Sequence, residues 1–158
     1  MLPAMPDGRL PHDSPGAVAA VQTLLAFDFG VKRIGVAIGN TLVRAARPLT
    51  TIDAGSNPER FSAISALISE WCAEVLIVGR ALHPDGAVSE MTARCERFGR
   101  QLEGRFGLPV KFVDERYTSA MAESALGTSR HDKKAVDAMA AAIILQAFFD
   151  EPGNHGSA

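Results

Sequence analysis

Asp28 is a carboxylate inside an otherwise apolar segment, Thr23 to Phe29. An ionised group in a buried strand is costly unless it is paired, hydrogen-bonded or bound to a metal. Lys32 and Arg33 follow closely enough to be cationic partners. Two more acids, Asp114 and Glu115, end the short run that starts at Val110. Ligands collect at the C-terminal edge of parallel strands in open α/β sheets. Successive strand residues point to opposite faces, so only one of these two acids can share a site with Asp28. Asp137 is the third candidate, on a helical face with Ala141, Ile144 and Phe148. That face points it toward a sheet; the competing reading is a solvent-facing acid near a helix N-terminus. Three carboxylates from separate elements repel one another unless neutralised. Oxygen ligands suit hard cations such as Mg²⁺ or Mn²⁺. Two such ions about 3.5–4 Å apart stabilise the attacking and leaving oxygens of phosphodiester cleavage.

The elements that must position these acids are legible from hydropathy. Thr23–Phe29 and Arg33–Gly39 read as strands joined by the turn Gly30-Val31-Lys32, hence an antiparallel hairpin. Leu42–Thr51 supplies a third strand. Asn57 is the expected N-cap of a helix with Pro58 at its first position, and Phe61, Ile64, Ile68 and Trp71 give it an apolar face. Glu74–Gly79 is a continuous apolar run, as in a parallel strand covered on both faces. After a loop at Arg80–Gly86, the residues Val88, Met91, Cys95, Phe98, Leu102 and Phe106 mark an amphipathic helix. Glu90–Arg94 and Glu96–Arg100 are expected ion pairs on its polar side, and Gly107 ends it. Val110–Asp114 is a fifth strand, Thr118–Leu126 a short helix and Gly127–Asp132 a polar loop. Asp132 caps a last Ala-rich helix that runs to about Phe149. This order predicts an α/β fold, a mixed sheet with helices on its faces.

The chain has 158 residues, 47% hydrophobic and 22% charged, which suits one globular domain. We expect a disordered leader over residues 1–20, a folded domain over 21–150 and a disordered polar tail over 151–158. Cys72 and Cys95 fall on apolar helical faces and form no C-x-x-C pair, which excludes zinc-ribbon and thioredoxin-like readings. Buried, reduced thiols point to the cytoplasm. No apolar run is long enough to span a bilayer, and the first residues lack the pattern of a secretory signal. The formal net charge of −2 argues weakly against a nucleic-acid partner. However, Asp7, Asp13, Asp150 and Glu151 lie in the tails against Arg9 alone, so residues 21–149 carry 15 basic and 14 acidic residues, or +1. Two divalent ions would raise the core to about +5, which leaves a phosphate backbone open as a partner.

Several segments together carry a family resemblance. They are L-L-A-F-D-F-G-V-K-R-I-G-V-A-I-G-N, the later A-R-P-L, V-L-I-V-G, D-E-R-Y-T-S-A-M-A and V-D-A-M-A-A-A-I-I-L-Q. In this order and spacing, from about Leu24 to Phe149, the chain resembles the YqgF family. That family comprises pre-16S ribosomal RNA nucleases similar to Holliday junction resolvases. The resemblance implies an RNase H-like fold with a five-stranded mixed sheet whose first three strands are antiparallel. It implies that Asp28, Glu115 and Asp137 are the catalytic acids and that they bind two Mg²⁺ or Mn²⁺ ions; the choice of Glu115 over Asp114 is the family's. Lys32 and Arg33 match its basic turn after the first acid. The chain departs from the family in two places. The segment Ala81 to Ala87 keeps only Leu82, Asp85 and Gly86 of the usual P-L-N-M-D-G-T, and Ala135 follows Lys133-Lys134 where K-G-x is usual.

Arg130, His131, Lys133 and Lys134 cluster before Asp137 and can grip a phosphate backbone. Arg116 either orients Glu115 or touches a phosphate. Tyr117 reads as a packing residue, and His12, His83, His131 and His155 as surface groups, because no metal-binding spacing connects them. The leading functional expectation is a two-metal endonuclease that processes the 5′ end of pre-16S ribosomal RNA, with a ribosomal subunit precursor as partner. A resolvase of branched DNA would use the same acids and act as a homodimer rather than a monomer. A non-catalytic RNA-binding assembly factor is the third reading. D-F-G-V-K also resembles the first phosphate loop of the actin and sugar-kinase superfamily, but such ATPases need two domains and 158 residues hold one.

Overall fold

The computed structural model describes residues 20–53, 55–83, 85–115 and 133–151. Outside the described residues lie 1–19 and 152–158 of the expected leader and tail, with His12 and His155. So do the expected helix Thr118–Leu126, the loop Gly127–Asp132, and Arg116, Tyr117, Arg130 and His131. β1 (Thr23–Phe29) and β2 (Arg33–Asn40) form the expected antiparallel hairpin, in a register that sets Asp28 opposite Gly35. β3 (Arg47–Asp53) adds antiparallel to β2. β4 (Val75–Ala81) and β5 (Val110–Glu115) add parallel on the other side, giving the sheet order β3-β2-β1-β4-β5. The helices are α1 (Asn57–Trp71), α2 (Glu90–Phe106) and α3 (Lys133–Asp150). This is the α/β fold with a five-stranded mixed sheet, its first three strands antiparallel.

Strand alternation sorts the side chains into two cores. On one face Leu25, Phe27, Ile34, Val36, Leu76 and Val78 pack with Phe61 and Ile64 of α1 and Cys95, Phe98 and Leu102 of α2. On the other face Leu24, Ala26, Ala37, Val75, Ile77 and Val113 pack with Ala141, Ile144, Leu145 and Phe148 of α3. Asp28 follows Leu24 and Ala26 at the same alternation, and so belongs to the α3 face.

The approach of α3 depends on β2. In R-I-G-V-A-I-G-N the residues on the α3 face are Gly35, Ala37 and Gly39. With no bulk there, the helix backbone comes down onto the strand. A Cβ at Gly35 would lie 1.9 Å from the Asp137 carbonyl oxygen, and one at Gly39 would lie 2.8 Å from the Phe149 ring. On β4, a Cβ at Gly79 would lie 2.4 Å from Ile144. Side-chain hydrogen bonds fix the two ends of α3. The Thr51 hydroxyl donates to the Lys134 carbonyl (2.6 Å), and the Ala46 amide donates to the Gln146 side chain (3.0 Å).

Several local expectations are corrected. The third strand starts at Arg47 rather than Leu42, because the Asn40 side chain accepts from the amides of Leu42 (3.0 Å) and Val43 (2.8 Å) and turns the chain. Arg44 completes that turn in the left-handed region (φ 57°). Ser56, not Asn57, caps α1. Its hydroxyl accepts from the Glu59 amide (3.3 Å) while the Glu59 carboxylate accepts from the Ser56 amide (3.1 Å), a reciprocal capping box. Val88 lies ahead of the Ser89 cap of α2 and is exposed rather than part of the apolar stripe. Cys72 is exposed too, because it forms the left-handed C-cap of α1; Cys95 is buried as expected. The pair Glu90–Arg94 forms (2.9 Å), but Glu96 accepts from Arg80 (3.1 Å) instead of Arg100. Arg80 itself belongs to β4 rather than to the following loop.

The close approach at Gly35 predicts that Gly35→Ala destabilises the fold by about 1–3 kcal/mol, since backbone rather than a flexible side chain must yield. Gly104→Ala, with nothing within 4 Å of the new methyl, should stabilise by about 0.5–1 kcal/mol through helix propensity. Denaturant melts of the two variants check the pair. Equal stability in both would show that α3 does not rest on β2 as described.

Candidate active site

Asp28 lies near the C-terminal end of β1, with a glycine on either side of it in the sheet. Gly35 pairs with it across the hairpin. Gly79 lies one step beyond the last registered β1–β4 pair, Phe27–Val78. Each glycine leaves room for another acid. The Asp137 backbone sits over Gly35, and the Glu115 Cγ would be 3.5 Å from a Cβ at Gly79. Glu115 is the last residue of β5 and shares its face with Val113, in the α3-side core. Its carbonyl accepts from the Leu82 amide (3.2 Å), which ties the strand end to the loop after β4. That loop closes on itself through the His83 amide to the Ala87 carbonyl (3.0 Å) and the Gly86 amide to the His83 carbonyl (2.7 Å), with Gly86 left-handed (φ 88°).

Asp114 projects from the other face. It accepts from Arg80 Nε (2.6 Å), its cross-strand neighbour, whose guanidinium also lies 5.6 Å from the Phe112 ring. The two acids at the end of β5 therefore have separate surroundings, one in an ion pair and one beside Asp28.

Burial pushes the Asp28 carboxyl up to about 7, and the charges of Glu115 and then Asp137 add to the rise. The carboxylates thus feel one another. Arg33 does not pair with Asp28, as one reading of the sequence allowed; its Nε donates to Asp137 Oδ2 at 2.6 Å. Among the described residues, no group of three His, Cys, Asp or Glu side chains is drawn together closely enough to hold a metal ion. Asp137 is turned to Arg33 instead. The donor chemistry nonetheless fits a hard divalent cation. The ligands are oxygens, and among the described residues the charges that shift Asp28 are the negative ones of Glu115 and Asp137.

The basic residues expected at the site divide. Lys32, in the hairpin turn, and Lys133, at the start of α3, are exposed. Lys134 Nζ donates to Asp53 at the end of β3 (3.0 Å) and so anchors α3 to the sheet edge. His83 is exposed, as expected. Sequence reasoning passed over Gly35 and Gly79, although glycine or alanine at every second residue of β2 was a visible signal. It also passed over Arg80, whose partner across the sheet is remote in sequence.

A mixed α/β sheet with three acids at the C-terminal edge of its parallel strands defines the architecture. Residues 22–151 match the RuvX family model, described as Holliday junction resolvase, and the chain belongs to that family. A protein of Burkholderia vietnamiensis named "Putative pre-16S rRNA nuclease" is 50% identical over 146 residues, covering 89% of this chain and 97% of that protein. One of Paraburkholderia phytofirmans with the same name is 55% identical over 130 residues, covering 81% and 88% respectively. Among solved structures, Thermus thermophilus RuvC in complex with a Holliday junction substrate aligns with a TM-score of 0.48 at 17% identity, covering 84% of this chain and 97% of that one.

The raised Asp28 pKa has a direct consequence for stability. Its folded value of about 7 lies above the ordinary 3.8, so folding favours the protonated form. The stability this contributes is complete below about pH 4 and is lost as pH rises through about 7. In chelator, Asp28→Asn should match wild type near pH 4 and exceed it by on the order of 2–4 kcal/mol at pH 8. Thermal melts across pH test this, and equal melting temperatures at pH 8 would show that Asp28 ionises without penalty.

Proposed function

We propose that this chain is a divalent-metal-dependent endonuclease that hydrolyses phosphodiester bonds in structured RNA, acting at the 5′ end of pre-16S ribosomal RNA in the cytoplasm. The observation that carries this reading is the grouping of Asp28, Glu115 and Asp137 on one face at one sheet edge, with Asp28 pushed up to about 7 by burial and by the other two. Family membership and the name of the 50%-identical relative support a nucleic-acid substrate and a hydrolytic reaction.

Asp28, Glu115 and Asp137 would hold the ions. One or two Mg²⁺ or Mn²⁺, when bound, supply Lewis-acid activation of water and stabilisation of the departing 3′ oxygen. Asp28 comes from a strand covered on both sides, so its position is set by the sheet and not by loop motion. Glu115 is held at the strand end by the Leu82 contact. Arg33 orients Asp137 through Nε and presents its terminal guanidinium nitrogens to a phosphate. Lys32 and Lys133 are exposed cations for the flanking backbone. Arg116 and Arg130 are assigned to the same role from the sequence alone. Lys134 is proposed to contribute to the field of this edge while it ties α3 to Asp53.

A second reading is cleavage of four-way DNA junctions, which the description of the matching family favours. The two are separated by assaying a precursor 16S leader and a four-way DNA junction side by side. Cleavage of the RNA should require Mg²⁺ or Mn²⁺ and stop in chelator. Asp28→Asn, Glu115→Gln and Asp137→Asn should each slow it by about a hundredfold or more, the loss expected when several kcal/mol of charge stabilisation is removed. Wild-type rates in Asp28→Asn would show that the chemistry lies elsewhere. Cutting of the junction with the RNA left intact would favour the second reading.

A further inference from the structure

The opposite face of the sheet carries a concavity at the same edge. It has a volume of about 330 Å³ and is lined by Phe29, Arg60, Glu90, Arg94, Arg97 and Gln101, among others. Phe29 directly follows Asp28, and strand alternation places its side chain on the face away from the acids. Its ring is tilted against Phe98 at a centroid distance of 4.8 Å, and the Arg60 guanidinium lies over it at 5.4 Å. Three arginines thus meet a single carboxylate, Glu90, which is already engaged by Arg94 at 2.9 Å. Among the described residues neither Arg60 nor Arg97 has a carboxylate partner. Arg60 Nε is buried and has no acceptor among them. Arg60 stands in the first turn of α1, and Glu90 and Arg94 stand in the first two turns of α2. The positive ends of both helix dipoles therefore add to the arginines.

A cavity with uncompensated guanidinium groups on an apolar floor selects an anion that accepts several hydrogen bonds at once. Phosphate matches the planar fork of arginine in this way. We propose that this pocket is a second nucleic-acid subsite, in which Arg60 and Arg97 hold a backbone phosphate flanking the one at the acids. The strand then passes over the end of the β1–β2 hairpin, with the scissile phosphate on the α3 face and its flank on the α1/α2 face. The subsite contacts phosphate alone, so it does not distinguish ribose from deoxyribose. The inference rests on the nuclease reading for its substrate, but its test needs no cleavage.

The test is equilibrium binding of a labelled single-stranded RNA and its DNA counterpart, in chelator, over a range of salt. Arg60→Gln and Arg97→Gln should each weaken both by about fivefold at about 0.1 M salt and lower the slope of log affinity against log salt, and the double variant should lower it by about 0.7, the share of the one phosphate they hold. Arg97→Lys, which keeps the charge but not the planar fork, should keep the wild-type salt slope and only part of the affinity. Arg47→Gln, whose guanidinium covers Trp71 in another groove, should change neither quantity. Arg97 is exposed, so its replacement reports on binding free of any folding defect, and melting temperature checks Arg60. Unchanged affinity and slope in Arg97→Gln would overturn the subsite, whether or not the protein cuts RNA. The predicted losses in a chain that cuts no nucleic acid would keep the subsite and reject the nuclease reading.

Discussion

The contact between the backbones of α3 and β2 sets the geometry on which the rest depends. Gly35 faces the Asp137 carbonyl so closely that even a methyl group is excluded. The same glycine is the cross-strand partner of Asp28. One small residue therefore does two things. It lets the helix settle on the sheet, and it delivers a helical carboxylate beside a strand carboxylate. Gly79 does the equivalent for Glu115 on the other side of Asp28. The acids are close because the sheet lacks side chains where they need space.

This arrangement concentrates negative charge at a half-buried edge. Burial and two acidic neighbours raise Asp28, and Arg33 balances Asp137. On the opposite face, Arg80 balances Asp114 and Glu96. The edge is thus divided, with coupled acids under α3 and a cluster of arginines between α1 and α2. A phosphate chain in contact with both would meet cation-seeking carboxylates on one face and anion-seeking guanidinium groups on the other. The overall charge of −2 hides this separation because it averages over the whole chain.

Much of the architecture could be read from local pattern. Strand alternation, the continuous run of β4 and the stripe of α2 are set by neighbours in sequence, and the observed elements follow them with shifts of a few residues. The misplaced features turn on single side chains. Asn40 makes a turn where apolar Leu42 and Val43 suggested a strand. Ser56 competes with Asn57 for the helix cap and gains a reciprocal bond to Glu59. Cys72 lies at the apolar phase of α1, but the helix ends there, and its left-handed backbone turns the residue outward. Of the site, the placement of acids near strand ends was legible. That Arg33 would choose Asp137, and Lys134 would choose Asp53, was not, since each partner is set by how α3 crosses the strands.

By itself the sequence determined the order of elements, the acids at their ends and the opposite facing of Asp114 and Glu115. All of these follow from periodicities of two and 3.6 residues acting along the chain. Only the tertiary structure decided which charges meet. Asp28 and Asp137 are neighbours because β2 has no bulk at Gly35, and Arg60 and Arg97 share a concavity because α1 and α2 pack side by side on one face. Charge pairing depends on distance through space, and that distance is set by the packing of elements far apart in sequence.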